Sequence, residues 1–593
     1  MARNLMIQGT MSGAGKSILT AGILRVLRQD GFRVAPFKSQ NMALNSFVTR
    51  DGLEMGRAQV VQAAAAGMEP SADMNPILLK PMGDTTSQVI VNGRPIGKMR
   101  AADYYRVKKS LVPSILEAYH RLEQRADIIV IEGAGSPVEI NLREGDVVNM
   151  GLAEMVDAPV LLAGNIDPGG VFAPLLGTVQ LLRPAERDRV KGLIINKFRG
   201  DVSLLEPGLA MFREYCDIPF AGVVPWLKLD LDEEDSMSER LSGKSSGNLE
   251  GGLSGSLEGG LSGSLGGGLS GTDESAKGSD IDIAVIRFPY ISNYTDFAPL
   301  EKMEGVNLRY VTGGTELGVP DLIILPGTKN TIGDLRWLRE SGLARRICAL
   351  VSLRRATDAG LLRVPESGAG DTTHKAPLLM GICGGYQMLG KRILDPLGSE
   401  TGGSEEGLDL LPMETVFREE KYTRQRSGRT RNLTGVWSSL SDLPVSGYEI
   451  HMGKSEYLGE WKQNGLWVDG LPAGTVFAEL GGTDGAACGK ADALDGAASG
   501  EVLDRGSGDV HDGAVSGDVL GTYLHGIFDE PEFRGALLKL LRERKSGVSS
   551  KDGLLATGVQ ESARQMQERQ LDLLADVLRE YLDWKLIYET IGV

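Results

Sequence analysis

The sequence predicts an α/β protein built of two doubly wound domains. Three observations carry that expectation. Short apolar, β-branched runs alternate with amphipathic segments through both halves of the chain, as in parallel sheets covered by helices on both faces. At 593 residues the chain exceeds what one hydrophobic core supports. Between the patterned halves the composition collapses into "EGGLSGSLEGGLSGSLGGGLSG", which lacks the side-chain volume to build a core. The expected organisation is a nucleotide-binding domain over 1–240, a flexible Gly/Ser-rich linker over 241–280, and a second domain over 281–593.

In the first half, "NLMIQG" reads as a strand and "KSILTAGILRVLRQDG" as the helix after it; "ADIIVIEGAG", "APVLLAGNID" and "VKGLIINKF" continue the alternation. Ligands of such sheets bind at the carboxyl ends of the strands. The second half repeats the pattern through "IDIAVIRFPY", "PDLIILPGTKN", "APLLMGICGG" and "GTYLHGIFD", with a helical tail after Pro531. Two polar, Gly-rich patches, at 397–407 and 481–517, read as surface insertions.

Composition narrows the function. A net charge of −16 without a Lys/Arg cluster opposes nucleic-acid binding. No apolar run is long enough to span a bilayer, and the N-terminus lacks the features of a signal peptide, so a cytoplasmic protein acting on small molecules is expected. Four cysteines, Cys216, Cys348, Cys383 and Cys488, show neither metal-ligand spacing nor a disulfide framework.

Residues 9–17, "GTMSGAGKS", follow a strand and open a helix, where backbone N–H groups and the helix N-terminus hold phosphate oxygens. Thr10, Gly13, Gly15, Lys16 and Ser17 are the expected ATP-binding residues, with Lys16 reaching the β/γ phosphates and Ser17 binding Mg²⁺. Thr10 stands where the strict pattern has glycine, and Gly9 lies one position earlier. Glu132 ends the strand in "IIVIEGAGS", where a carboxylate can hold Mg²⁺ from the facing strand. Residues 37–46, "FKSQNMALNS", crowd Lys38, Gln40, Asn41 and Asn45 behind an apolar strand, either to cap a helix or to hydrogen-bond a polar substrate or ATP.

"GICGG", residues 381–385, has the form of a nucleophile elbow, a strand-to-helix turn tight enough to need glycines. It presents Cys383 at a helix N-terminus, which favours the reactive thiolate. Acyl chemistry then needs a base and an oxyanion site. His525 in "GTYLHGIFD" is the better-placed base, and spacing alone leaves His451 in "GYEIHMG" open as a rival. The backbone N–H groups of Gly327 in "LPGTKN" and of Gly384 are the candidate oxyanion donors, and losing one such donor costs roughly a hundredfold or more in rate.

The Gly9-Thr10 spacing resembles the loop of dethiobiotin synthetase, which activates a carboxylate. With "FKSQNMALNS", "EMGRAQ" (54–59), "MNPILLKP" (74–81) and "GSPVEINL" (135–142), the chain resembles the cobyric acid synthases, glutamine-dependent amidating enzymes of cobalamin biosynthesis, over nearly all its length outside the low-complexity stretches. The resemblance implies an N-terminal dethiobiotin-synthetase-like domain and a C-terminal class I glutamine amidotransferase-like domain. By analogy with the related synthetase, it places Lys38 near the phosphates. The family match assigns the base to His525, and it implies ATP, Mg²⁺, glutamine and a corrinoid substrate, adenosylcobyrinic acid a,c-diamide, amidated at its b, d, e and g side chains.

Two departures stand out. "GNIDPGG" carries Asn165 and Pro168 where the family reads Asp and Arg, which puts in doubt a charge role carried over to those two positions, while Asp167 and both glycines remain. Ile527 stands where many class I glutaminases have a Glu two residues after the base; a Cys383–His525 dyad is therefore expected, with the imidazole held by some other group. Two alternatives remain: amidation of another carboxylate, such as cobyrinic acid, and a regulatory ATPase with an inactive glutaminase-like module.

Overall fold

The computed structural model describes residues 2–83, 85–231, 281–358, 376–431, 433–458, 467–468, 471–472, 476–478, 509–546 and 562–593. The expected linker, Cys488 and residues 481–508 of the second expected insertion lie outside the described residues.

The first domain is a six-stranded, wholly parallel sheet. Its strands lie in the order Phe220–Pro225, Val190–Phe198, Val160–Asn165, Arg3–Gly9, Ile128–Glu132 and Val34–Phe37. Leu5, Met6 and Ile7 are fully buried, as sheets covered on both faces require. The chain order reverses beside Arg3–Gly9, which is flanked by Val160–Asn165 and Ile128–Glu132, and the phosphate loop and Glu132 both sit at this switch point. A four-stranded sheet of Gln40–Met42, Ile77–Pro81, Thr86–Val91 and Arg94–Arg100 and a two-stranded hairpin, Ser46–Val48 with Glu54–Gly56, extend from the domain.

The second domain has its own six-stranded sheet, ordered Val306–Val311, Ile281–Ile286, Leu322–Leu325, Leu378–Ile382, Val519–Thr522 and Ala514–Ser516. Five strands are parallel and Ala514–Ser516 is an antiparallel edge. Part of the stretch expected as a surface insertion over 481–517 is thus a strand of the sheet. The other expected insertion lies at the surface. Residues Gly403–Glu406 join a second sheet, and the turn before them is pinned by the Asp395 carboxylate, which accepts from the N–H groups of Ser399, Glu400 and Gly402.

The end of the chain is a further correction, because residues 562–593 do not extend the second domain's core. Helices Ala563–Tyr581 and Trp584–Ile591 lie against the first domain, where Leu571, Leu574, Leu578 and Ile587 join Leu5, Ile7, Leu19 and Ile23 in one buried cluster. The helix Lys16–Gln29 receives them at Gly22, where an added Cβ would come within 2.3 Å of Leu578. Arg25 pairs with Glu568 at 2.7 Å and with Asp572 at 2.8 Å. Leu574→Ala is expected to cost about 2–5 kcal/mol in urea-unfolding measurements, since the cavity it leaves abuts the helix that follows the phosphate loop. Among the described residues no helix is long and apolar enough to cross a membrane.

Candidate functional site

The phosphate loop joins the strand Arg3–Gly9 to the helix Lys16–Gln29. Gly13 (φ 75°) and Gly15 (φ 83°) are left-handed, and a Cβ on Gly15 would lie 2.1 Å from Asn196 Nδ2, so only glycine fits there. Lys16 folds back over the loop, donating to Met11 O at 3.1 Å and Gly135 O at 3.2 Å. Thr10 is buried, and among the described residues its hydroxyl has no partner. Asn165, one of the departures, donates to Gly13 O at 3.4 Å, so its amide steadies the loop where a charge was in doubt.

Glu132 is buried at the end of its strand. Its Oε1 accepts from Ser17 Oγ at 2.7 Å and from Lys38 Nζ at 2.9 Å; its Oε2 accepts from Gln62 and, at 3.5 Å, from Gln59. Three of the predicted residues therefore meet at one carboxylate. A hydroxyl and a carboxylate this close are hard oxygen ligands of the kind Mg²⁺ takes beside phosphate oxygens, so the residues fit that ion. Asn41 donates to Gln59 Oε1 at 3.1 Å, and Gln40 accepts from the Tyr104 hydroxyl at 2.5 Å. Asn45 stands apart from this cluster. It is 1% exposed, its amide has no partner among the described residues, and the next residue, Ser46, donates its N–H to Asn293 of the second domain at 3.2 Å.

The second site centres on Cys383, between the strand Leu378–Ile382 and the helix Gly384–Met388. Its backbone is at φ 53°, ψ −109°, a strained conformation for a residue with a side chain and the one a nucleophile elbow uses. The glycines are required by close approach: a Cβ on Gly385 would lie 2.0 Å from Leu325 O, and one on Gly384 2.6 Å from Thr328 Cγ2. Cys383 N–H donates to Thr522 O at 2.8 Å, and Sγ lies 3.6 Å from Ile450 O. Gly327 is beside the imidazole, where its Cβ would be 2.8 Å from His525 Cε1. Among the described residues, the N–H groups of Gly327 and Gly384 donate to no other group.

His525 is 1% exposed and lines the same pocket as Cys383. Its Nδ1 donates to Asp296 Oδ2 at 2.6 Å, and Asp296 Oδ1 accepts from Gly526 N–H at 3.2 Å. The expected dyad is thus a Cys383–His525–Asp296 triad, the acid coming from the turn Tyr294–Phe297. Burial pulls the imidazole's pKa down, but Asp296 and then Cys383 outweigh it and hold the value at about 10. Tyr448 stacks on the ring at 5.3 Å and donates its hydroxyl to Ser46 O at 3.1 Å, linking the imidazole to the first domain. The rival His451 lines the same pocket, but burial lowers its pKa to about 4. It is a neutral ring whose Nδ1 donates to Gly453 O at 2.7 Å, stacked on Tyr523 at 3.8 Å.

Sequence reasoning missed several pocket residues besides Asp296: Lys80, Lys329, Glu400 and Lys421 share one cavity with Cys383 and His525. Lys80 comes from the first domain, where Glu54 accepts from it at 2.8 Å and also from Lys421 of the second domain. The thiol pocket is therefore completed by the first domain.

A phosphate loop with a carboxylate beside it, fused to a cysteine on a strand-to-helix turn with a histidine and an aspartate beside it, is the arrangement of a two-domain glutamine amidotransferase. Family models agree with both halves: the CobQ/CobB/MinD/ParA nucleotide binding domain matches residues 5–237, and the CobB/CobQ-like glutamine amidotransferase domain matches 282–356 and 372–533. The chain belongs to the cobyric acid synthase family, whose members carry out glutamine-dependent amidation in cobalamin biosynthesis. It is 47% identical to the cobyric acid synthase of Lachnoclostridium phytofermentans over 99% of each chain. Identity to that of Ruminiclostridium cellulolyticum is 46%, covering 100% of this chain and 97% of the other. Among solved structures, the septum site-determining protein MinD of Pyrococcus horikoshii matches with 18% identity, covering 38% of this chain and 82% of the other, at a TM-score of 0.23, too slight a likeness to bear on function.

Proposed function

We propose that the enzyme amidates the b, d, e and g carboxylates of adenosylcobyrinic acid a,c-diamide to give adenosylcobyric acid, using ATP-Mg²⁺ and glutamine. The Cys383 thiolate attacks the glutamine amide carbon, and the N–H groups of Gly327 and Gly384 receive the negative charge that develops on oxygen. His525, an imidazolium at neutral pH, gives its proton to the departing nitrogen, so ammonia leaves and a glutamyl thioester remains. Water, its proton taken by the now neutral imidazole, hydrolyses the thioester to glutamate.

In the first domain the loop residues and Lys38 hold the phosphates, while Ser17 and Glu132 would hold a Mg²⁺ ion, which would shield phosphoryl charge. ATP phosphorylates the substrate carboxylate, and ammonia displaces phosphate from the acyl phosphate to form the amide. The observation that carries this reading is the union of the halves: Ser46 of the first domain bonds both Asn293 in the thiol pocket and Tyr448 on the catalytic imidazole.

The test is mass spectrometry of adenosylcobyrinic acid a,c-diamide and, in parallel, cobyrinic acid, incubated with ATP and glutamine. Four successive carboxyl-to-amide conversions of the diamide are expected. Glu132→Gln is expected to lose them, by about a hundredfold or more, with ammonium as well as with glutamine, because the change strips a ligand from the cation and an acceptor from buried Lys38. Conversion of cobyrinic acid in preference to the diamide would overturn the assigned acceptor.

A further inference from the structure

The thiol pocket contains two charged groups that its ion pairs do not use. Glu54 already accepts from Lys80 and Lys421, and Lys80 donates also to Ser46 Oγ at 2.9 Å. Lys329 is 7% exposed and lines the pocket, yet among the described residues its ammonium has no hydrogen-bond or ion-pair partner. Its backbone N–H donates to Tyr290 O at 3.0 Å, which fixes the point from which the side chain enters the pocket. Glu400 lines the same pocket, and its Oε2 accepts from Thr331 N–H at 2.6 Å. The three N–H bonds to Asp395 hold its loop in place. No ion pair joins Glu400 to Lys329 among the described residues.

A buried cation and a half-buried carboxylate with no ion pair between them are costly to keep unless a ligand completes them. Glutamine supplies the complement, since beyond its side-chain amide it carries one carboxylate and one ammonium on the same carbon. With its amide carbon at Cys383, the other end must find one group of each sign, both desolvated. We infer that Lys329 and Glu400 form the subsite for the α-amino-acid end of glutamine, Lys329 taking the α-carboxylate and Glu400 the α-ammonium. The assignment rests on the reading of Cys383 as the glutaminase nucleophile. It makes the pair specificity-determining, because an amide lacking either charge leaves a buried group unpaired. Burial lowers the pKa of Lys329 and raises that of Glu400 to about 7, and at each the charge of the other acts against burial without cancelling it.

The test uses the full chain with ATP and corrinoid. Lys329→Met and Glu400→Gln are each expected to raise KM for glutamine about a hundredfold, with kcat within about threefold of wild type and ammonium-dependent amidation unchanged. Lys329→Arg should retain most of the affinity. Two analogues separate ligand recognition from folding. 4-Aminobutanamide, which lacks the α-carboxylate, is expected to act equally on wild type and Lys329→Met as substrate or inhibitor. Glutaramate, which lacks the α-ammonium, should act equally on wild type and Glu400→Gln. An unchanged KM for glutamine, or loss of the ammonium-dependent reaction as well, would overturn the subsite. A wild type that amidates with ammonium but cannot hydrolyse glutamine would instead overturn the glutaminase reading beneath it.

Discussion

Cys383→Ala is expected to lower glutamine-dependent amidation by about 10⁴-fold or more while ammonium-dependent amidation stays within about twofold of wild type. The size follows from chemistry, since without a thiolate no thioester forms and the remaining groups can act only on water. Selectivity between donors follows from structure. Cys383 belongs to the second domain, while Ser17, Lys38 and Glu132 are joined to one another in the first. The substitution also removes a side chain from a residue at φ 53°, so neither a clash nor a buried charge is introduced. Amide formation followed with both donors, alongside glutamate release, checks this. A variant inactive with ammonium as well would mean that Cys383 holds the fold, and a variant still releasing glutamate would remove it from the chemistry.

The features that were legible in the sequence are those whose cause is local. Apolar runs such as Ile128–Glu132 and Leu378–Ile382 announce buried parallel strands because both faces are covered. The elbow is readable because Gly384 and Gly385 are demanded by the close approach of Thr328 and Leu325, at the end of one neighbouring strand. Ser17 and Glu132 could be named because each ends a recognisable strand or loop on one edge of one sheet. What escaped depends on distant pairing. Asp296 lies 229 positions from His525, and the place where other class I glutaminases carry their acid holds Ile527. Its only local signal was an acid set between Tyr294, Thr295 and Phe297, a carboxylate in an apolar turn. Glu400 was concealed by composition, since "GSETGGSEEG" reads as solvated, whereas Asp395 ties that turn into the pocket. The final helices showed an apolar face but not which core it meets, because periodicity records that a face is buried and is silent about the partner.

The absence of a local acid after His525 makes Asp296→Asn the sharpest test of the triad. Glutamine hydrolysis is expected to fall by roughly 10²–10⁴-fold, since the amide neither balances an imidazolium nor enforces its orientation. Ammonium-dependent amidation should persist. The pH dependence provides an independent check. In the wild type, burial alone would lower the imidazole's pKa, and the Asp296 charge is the first of the interactions that lift it to about 10. Removing that charge lets burial win, so the imidazolium is lost at lower pH and the alkaline limb of the glutaminase profile moves toward acid. The stability effect has a definite sign. A histidine with a folded-state pKa above its unfolded value near 6.5 stabilises the fold fully below about pH 6.5, and that contribution disappears as pH rises through about 10. Asp296→Asn should therefore be destabilised most in urea unfolding at pH 6 and approach wild type above pH 10. A profile that keeps its alkaline limb in place, with hydrolysis near the wild-type rate, would return the site to a Cys383–His525 dyad and leave Asp296 as a partner for the Gly526 N–H alone.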